Sequence, residues 1–298
     1  MSEFENKVVI ITGAGGGIGR EHALAFASRG ARVVVNDLGG NVRGDDPGGV
    51  GAAQAVVDEI TALGGRAVAS THSVADADGA QAIVQSALDA FGTVDVVVNN
   101  AGILRNRTLK NTTPEDIRAV IEVHLLGSAF VTHAAWPVFY EKGYGRVVLT
   151  TSVSGIFGQF GQSAYGAAKM GMLGMMNVLA LEGRSHGILV NCLSPGADTR
   201  MTALDPGIDA DNPRPQMHPK LITPVALYLA SEAAPTGVVM HALGGRYLRS
   251  ETVANQGVQL GQNATYEDLL ENIDAVMDMH GATPLAEPGN LSALFGED

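Results

Sequence analysis

Residues 163–169 read SAYGAAK and place Tyr165 and Lys169 four positions apart in an otherwise small or apolar stretch. On a helix, positions i and i+4 lie one above the other, so the phenol and the ammonium point into one space. Two readings are open here. One is a packed tyrosine with a snorkelling lysine. The other is a coupled pair, in which the cation favours the phenolate and makes the tyrosine an acid/base group.

A second constellation lies near the N-terminus. TGAGGGIG (12–19) follows the β-branched run KVVIIT (7–12) and opens a helix. Backbone at such a turn can approach a pyrophosphate that side chains would block, and Gly13, Gly17 and Gly19 have the required spacing. Between a first strand and a first helix, the turn implies dinucleotide binding. Asp37 ends the next strand, eighteen residues after Gly19. A carboxylate there accepts both hydroxyls of an adenosine ribose and repels a 2′-phosphate. The neighbouring Leu38–Gly39–Gly40 brings no positive charge, so NAD is expected rather than NADP. The plainer alternative is a strand-end turn aspartate.

These residues need a scaffold, and the chain alternates between two periods. Apolar runs at 7–12, 31–37, 67–71, 94–100, 146–152 and 188–196 read as strands. Helices are expected at about 20–29, 51–63, 76–91, 114–142 and over the stretch carrying SAYGAAK. Asp76 and Thr113–Pro114 are start signals, and Gly92 is a stop. Continuous apolar strands separated by helices predict an α/β fold: one Rossmann-type, doubly wound parallel sheet with helices on both faces. Residues 1–245 form this domain, and 246–298 are expected as a C-terminal extension packed on it. In the extension, RYLRSETV and GVQLG read as short strands and 266–279 as a helix. Residues 38–50 form a Gly-rich loop. Residues 198–220, which carry four prolines, are expected to be a lid over the substrate.

Bulk properties narrow the function classes. With 298 residues, 46% of them apolar and 17% charged, a large core is possible. A net charge of −12 argues against nucleic acid and against anionic membrane surfaces as partners. Cys192 is the single cysteine, so no disulfide forms within the chain. It sits in the apolar run ILVNCL as a small core residue. No metal-ligand cluster is read. No leader pattern is visible, no apolar run approaches the ~18 residues of a membrane helix, and FGED is not a peroxisomal address. A cytoplasmic location is expected. The helices at 114–142 and 163–181 are apolar on more than one face, which predicts a homodimer or homotetramer.

Taken together, TGxxxGxG at 12–19, NNAG at 99–102, Ser152 thirteen residues before the Y-x-x-x-K, and Pro195–Gly196 resemble the short-chain dehydrogenase/reductase family over about residues 5–245. The resemblance implies Tyr165 as general acid/base. It implies Lys169 as a ribose ligand that lowers the phenol's pKa, and Ser152 as the holder of the substrate oxygen. It further implies a cofactor cleft built from Gly13, Gly17, Ile18, Gly19, Asp37, Ser73, Val74, Asn99, Ala101, Gly102, Tyr165, Lys169, Pro195, Gly196 and Thr199. Two places depart from the family pattern. His124, in VHLLG, stands where an Asn is usual, and Ser73–Val74 stand where Asp-Val is usual.

A narrower resemblance covers VVVNDLGG (33–40), NNAGILRNR (99–107), 144–169 and PGADTRMT (195–202). These segments look like the (3R)-hydroxyacyl-CoA dehydrogenase domains of peroxisomal multifunctional enzymes of type 2, also known as 17β-hydroxysteroid dehydrogenases of type 4, and their bacterial relatives. That likeness implies oxidation of a (3R)-hydroxyacyl-CoA with NAD. A hydroxysteroid or other secondary alcohol is the alternative, and a non-catalytic NAD-binding module is the remote one. Phe157 and Phe160 would meet the substrate, and Arg105, Arg107 and Lys110 would meet CoA phosphates or form a solvated charge cluster.

Overall fold

The computed structural model describes residues 3–46, 48–49, 51–204 and 207–284. Eight strands form one sheet: β1 (Val8–Thr12), β2 (Arg32–Asn36), β3 (Arg66–Ser70), β4 (Val96–Asn99), β5 (Gly145–Thr150), β6 (Ile188–Gly196), β7 (Val239–Leu243) and β8 (Arg246–Ser250). Their order is β3-β2-β1-β4-β5-β6-β7-β8, and every pairing from β3 through β7 is parallel. The expected doubly wound sheet is present. The order reverses between β1 and β4, and ligands in such sheets bind at the carboxyl ends beside that switch point. β8 joins the edge through Gly244–Gly245, both at positive φ, as a two-residue hairpin turn demands.

Helices cover both faces. α1 (Gly17–Ala27), α2 (Gly51–Ala62) and α8 (Thr223–Leu229) pack Phe26, Ile60 and Leu229 on one side. α3 (Ala77–Phe91), α5 (Gly127–Lys142) and α7 (Ser163–Gly183) pack Ile83, Phe139 and Met172 on the other. The sequence signals for their ends hold. Asp76 caps α3 by accepting from Gly79 N at 2.8 Å, and Gly92 ends it in the left-handed region. Thr113 caps α4 (Pro114–Ile121) by accepting from Asp116 N at 3.1 Å. A π turn over Glu122–Leu126 joins α4 to α5.

Some elements escaped the sequence pattern. α8 and β7 fill 223–243, where His241 interrupts the apolar run of the strand. GVQLG is not a strand, because Gly257 and Gly261 both adopt positive φ. Instead β9 (Val253–Ala254) pairs with β10 (Thr283–Pro284). The helix expected over 266–279 breaks into α9 (Tyr266–Glu271) and α10 (Ile273–Met277). Asn272 at the break donates to Asp268 O at 2.9 Å, a side-chain bond that competes with the helix. The helical stretch Pro114–Lys142 is, against expectation, long and apolar enough to cross a membrane by length and composition. Here its Val131, Ala135 and Phe139 lie in the sheet core. The contacts divide the chain into two compact units, Met1–Arg249 and Ser250–Asp298. The C-terminal FGED lies outside the described residues.

Candidate active site

A cleft of about 430 Å³ opens at the carboxyl ends of β1, β2, β4, β5 and β6. Its floor is the glycine turn. Gly13 sits at φ +64°, and a Cβ at Gly19 would stand 2.2 Å from Gly13 O. No side chain fits there, so the first turn of α1 offers bare backbone N–H groups to an anion. Asn100 braces this floor by donating to Thr12 O at 3.0 Å and Gly13 O at 3.1 Å, while Thr12 Oγ1 accepts from Asn100 N and Ala101 N. At the adenosine end, Asp37 accepts from Gly15 N at 2.8 Å through Oδ2 and from Gly39 N at 2.7 Å through Oδ1. Each oxygen keeps a further lone pair for a ribose hydroxyl.

At the other end lie Tyr165 and Lys169, both on α7, with Ser152 just past the end of β5. Ser152 caps α6 (Val153–Ile156), accepting from Ser154 N at 3.1 Å and lying 3.3 Å from Ser154 Oγ. Lys169 is buried. Its Nζ donates to Thr150 O at 2.6 Å and lies 5.6 Å from the centroid of the Tyr165 ring. Burial pushes the lysine down to about 7. Burial also raises the Tyr165 phenol above its ordinary value, while the Ser152 side chain pulls it back down. The expected lowering of the phenol by Lys169 is therefore absent from the cleft as the chain alone builds it. Desolvation sets the direction, and Lys169 is itself pushed down by burial.

His124 is fixed by the π turn, a common device at functional sites. It is buried, its Nε2 lies 2.7 Å from Ile103 O, and its ring meets the edge of Tyr165 with centroids 5.1 Å apart. Burial first, then the nearby Lys169, hold it well below the usual histidine range, so it is neutral. Among the described residues, His124 Nδ1 and Thr150 Oγ1 are buried without a partner, and both residues line the cleft. Orphaned polar atoms above a side-chain-free cradle fit a bound dinucleotide.

Of the residues named from sequence, Gly13, Gly17, Ile18, Gly19, Asp37, Ser73, Val74, Ala101, Gly102, Tyr165, Lys169, Pro195 and Thr199 line this cleft. Asn99 does not. Buried behind it, Asn99 donates to Thr132 Oγ1 at 3.0 Å, and its neighbour Asn100 does the bracing. Gly196 faces Leu243 instead. Sequence reasoning also passed over Thr12, Thr150 and Arg200. Thr150 had a signal, since it directly precedes the pair leading to Ser152. Arg200 had none.

The segment expected as a lid, 198–220, is anchored near both ends. Asp198, buried, takes a bidentate pair from Arg214 at 2.8 Å and 2.8 Å and accepts from Arg214 N at 3.0 Å. Its own N donates to Met217 O at 2.8 Å. The guanidinium holds the carboxyl below the usual range. Phe157 and Phe160 are exposed, at 71% and 91%, on the segment after α6. Two of the three cations considered for CoA are already engaged. Arg105 donates to Asp116 at 3.2 Å and to Arg43 O at 2.9 Å, and Arg107 pairs with the same Asp116 at 3.6 Å.

The short chain dehydrogenase family matches residues 7–206. A short-chain type dehydrogenase/reductase of Mycobacterium tuberculosis is 45% identical over 287 residues, covering 95% of this chain and 98% of the relative. The peroxisomal multifunctional enzyme type 2 of Drosophila melanogaster is 46% identical over 292 residues, covering 98% of this chain. Its full-length structure superposes with a TM-score of 0.80. The chain spans only 47% of that enzyme's length. A short chain dehydrogenase structure from Mycobacterium avium is 40% identical with a TM-score of 0.80, covering 95% of this chain and 98% of that one.

Proposed function

The chain belongs to the short-chain dehydrogenase/reductase family, and from that premise we propose that it oxidises the 3-hydroxyl of a (3R)-hydroxyacyl-CoA to the ketone with NAD. The family typically uses NAD or NADP and acts on CH–OH groups. The observation that carries the reading is the pair Tyr165 and Lys169 lining a cleft floored by the glycine turn, with the Ser152 side chain on the phenol. The acyl-CoA follows from the resemblance of the four segments noted above.

A bound NAD supplies a hydride acceptor and a positive charge beside the phenol. The chain's own residues do the rest. Ser152 Oγ orients the substrate oxygen, on which charge develops. Tyr165 takes the hydroxyl proton as general base. Lys169, in contact with Thr150 O and close to the ring, favours the phenolate whenever it carries its proton. His124 packs against the ring edge and fixes the phenol's direction.

Asp37 supports NAD over NADP, and Asp46 also lines the cleft, so a 2′-phosphate would meet carboxylates. Asp37→Ala should narrow the preference for NAD, measured as the ratio of kcat/KM values with the two cofactors. A wild type that already prefers NADP would refute the assignment.

A hydroxysteroid is the second reading, favoured by one observation: Asp116 engages Arg105 and Arg107, leaving fewer free cations for CoA. NADH oxidation driven by a 3-ketoacyl-CoA, set against a ketosteroid, separates the two.

Assembly belongs to the same proposal. Met170, Val178 and Leu181 on α7 and Tyr140 on α5 are exposed at 47%, 53%, 38% and 41%. Such apolar surface on helices already buried on their other side is suited to a two-fold partner. We expect at least a homodimer by sedimentation at micromolar concentration, and a monomer mass would refute it.

A further inference from the structure

We infer that Arg200 is a diphosphate ligand of the cofactor, brought to the glycine turn by the loop that follows β6. This inference rests on the dinucleotide reading above.

Its starting point is a convergence of positive charge. A Cβ built at Gly16, the residue before α1, would stand 3.2 Å from an Nη of Arg200. The start of α1 carries about half a positive charge from its aligned peptides. No acidic residue lies in its first turn, and no side chain caps it. The nearby Arg20 is taken by Glu21 at 2.7 Å and Glu59 at 2.6 Å. Arg200 is different. Among the described residues it makes no ion pair or hydrogen bond, yet its guanidinium lies over the helix start and lines the cleft. A guanidinium keeps its charge. A guanidinium held directly against a helix start that is itself positive is unfavourable unless an anion neutralises both. The anion that this fold brings to that point is the cofactor's diphosphate.

The loop makes the placement repeatable. Asp198, two residues earlier, is locked by Arg214 and by its backbone bond to Met217 O. Thr199 packs its methyl against Gly17, 3.6 Å from where a Cβ there would lie. Arg200 thus leaves a fixed base directly above the turn. A planar fork of donors suits two phosphate oxygens better than a lysine would.

The test is calorimetric titration of the whole chain, wild type and Arg200→Gln, with ADP-ribose, adenosine and 2′-phospho-ADP-ribose at two salt concentrations. Arg200 is exposed, and thermal unfolding checks that the variant keeps its fold. Loss of a charge-assisted phosphate contact should weaken ADP-ribose about tenfold or more. Adenosine should bind both proteins alike, and the variant should show a shallower salt dependence. Arg200→Lys should recover part of the affinity. Equal ADP-ribose affinities would overturn the inference, as would an equal loss for adenosine. A loss confined to 2′-phospho-ADP-ribose would overturn it too, assigning Arg200 to the ribose phosphate. A wild type that bound no ADP-ribose would overturn it together with the dinucleotide reading.

Discussion

Tyr165→Phe is expected to remove turnover and leave dinucleotide binding nearly intact. The substitution keeps the ring that packs edge-on against His124 at 5.1 Å and deletes only the oxygen. What is lost is the acid/base group, which is worth roughly 10²–10⁴ in rate. Part of the remaining rate enhancement comes from holding the reactants together and should persist. Steady-state kinetics and a binding titration on the same preparation separate the two effects. A variant that kept a substantial fraction of wild-type turnover would require another base, and His124 would be the first to examine.

Lys169→Met should damage both properties and also leave a mark on stability. The ammonium is the cleft's own cation beside the phenol, and its loss should lower kcat and dinucleotide affinity together. The stability effect has a definite sign. Lys169 releases its proton at about 7 in the folded chain, against an ordinary 10.5 when unfolded. Between those values the unfolded chain binds the extra proton, so wild-type stability should rise with pH through that window. The thioether that replaces the amine cannot titrate. The difference in unfolding free energy between the two proteins should therefore shift in favour of wild type from about pH 7 to about pH 9. A pH-independent difference would contradict the assignment of a discharged, buried lysine.

Much of this is legible in the sequence because local signals and global fold agree. The strand at 188–196 matches its expected bounds to the residue, since ILVNCLSPG lies between Gly187 and the start of an irregular segment. Capping by Asp76 and Thr113 follows from side-chain chemistry within one turn. Positioning of the site is equally local where it depends on glycine spacing or on a helical i+4 pair. The failures are tertiary. Asn99 and Asn100 are adjacent and identical in type, and only the pleat decides which of them turns towards the glycine turn. The phenol's pKa depends on burial, which periodicity does not report, and burial by the chain itself raises it. Arg105 and Arg107 resemble anion ligands until Asp116, nine residues past Arg107, closes on both. Arg200 sits in a segment without periodicity, and only the fold carries it above Gly16.

The most direct measurement is a spectrophotometric assay of NAD reduction by the purified chain, offered (3R)-hydroxyacyl-CoA, (3S)-hydroxyacyl-CoA and hydroxysteroids in parallel. If Ser152 and Tyr165 hold the substrate oxygen on one side of the dinucleotide, as proposed, one C3 epimer should be oxidised and the other refused. NADH formation is expected with the (3R)-hydroxyacyl-CoA, abolished by Tyr165→Phe. Turnover of the (3S) isomer in its place, turnover of hydroxysteroids alone, or no NAD reduction by any of the three would contradict it.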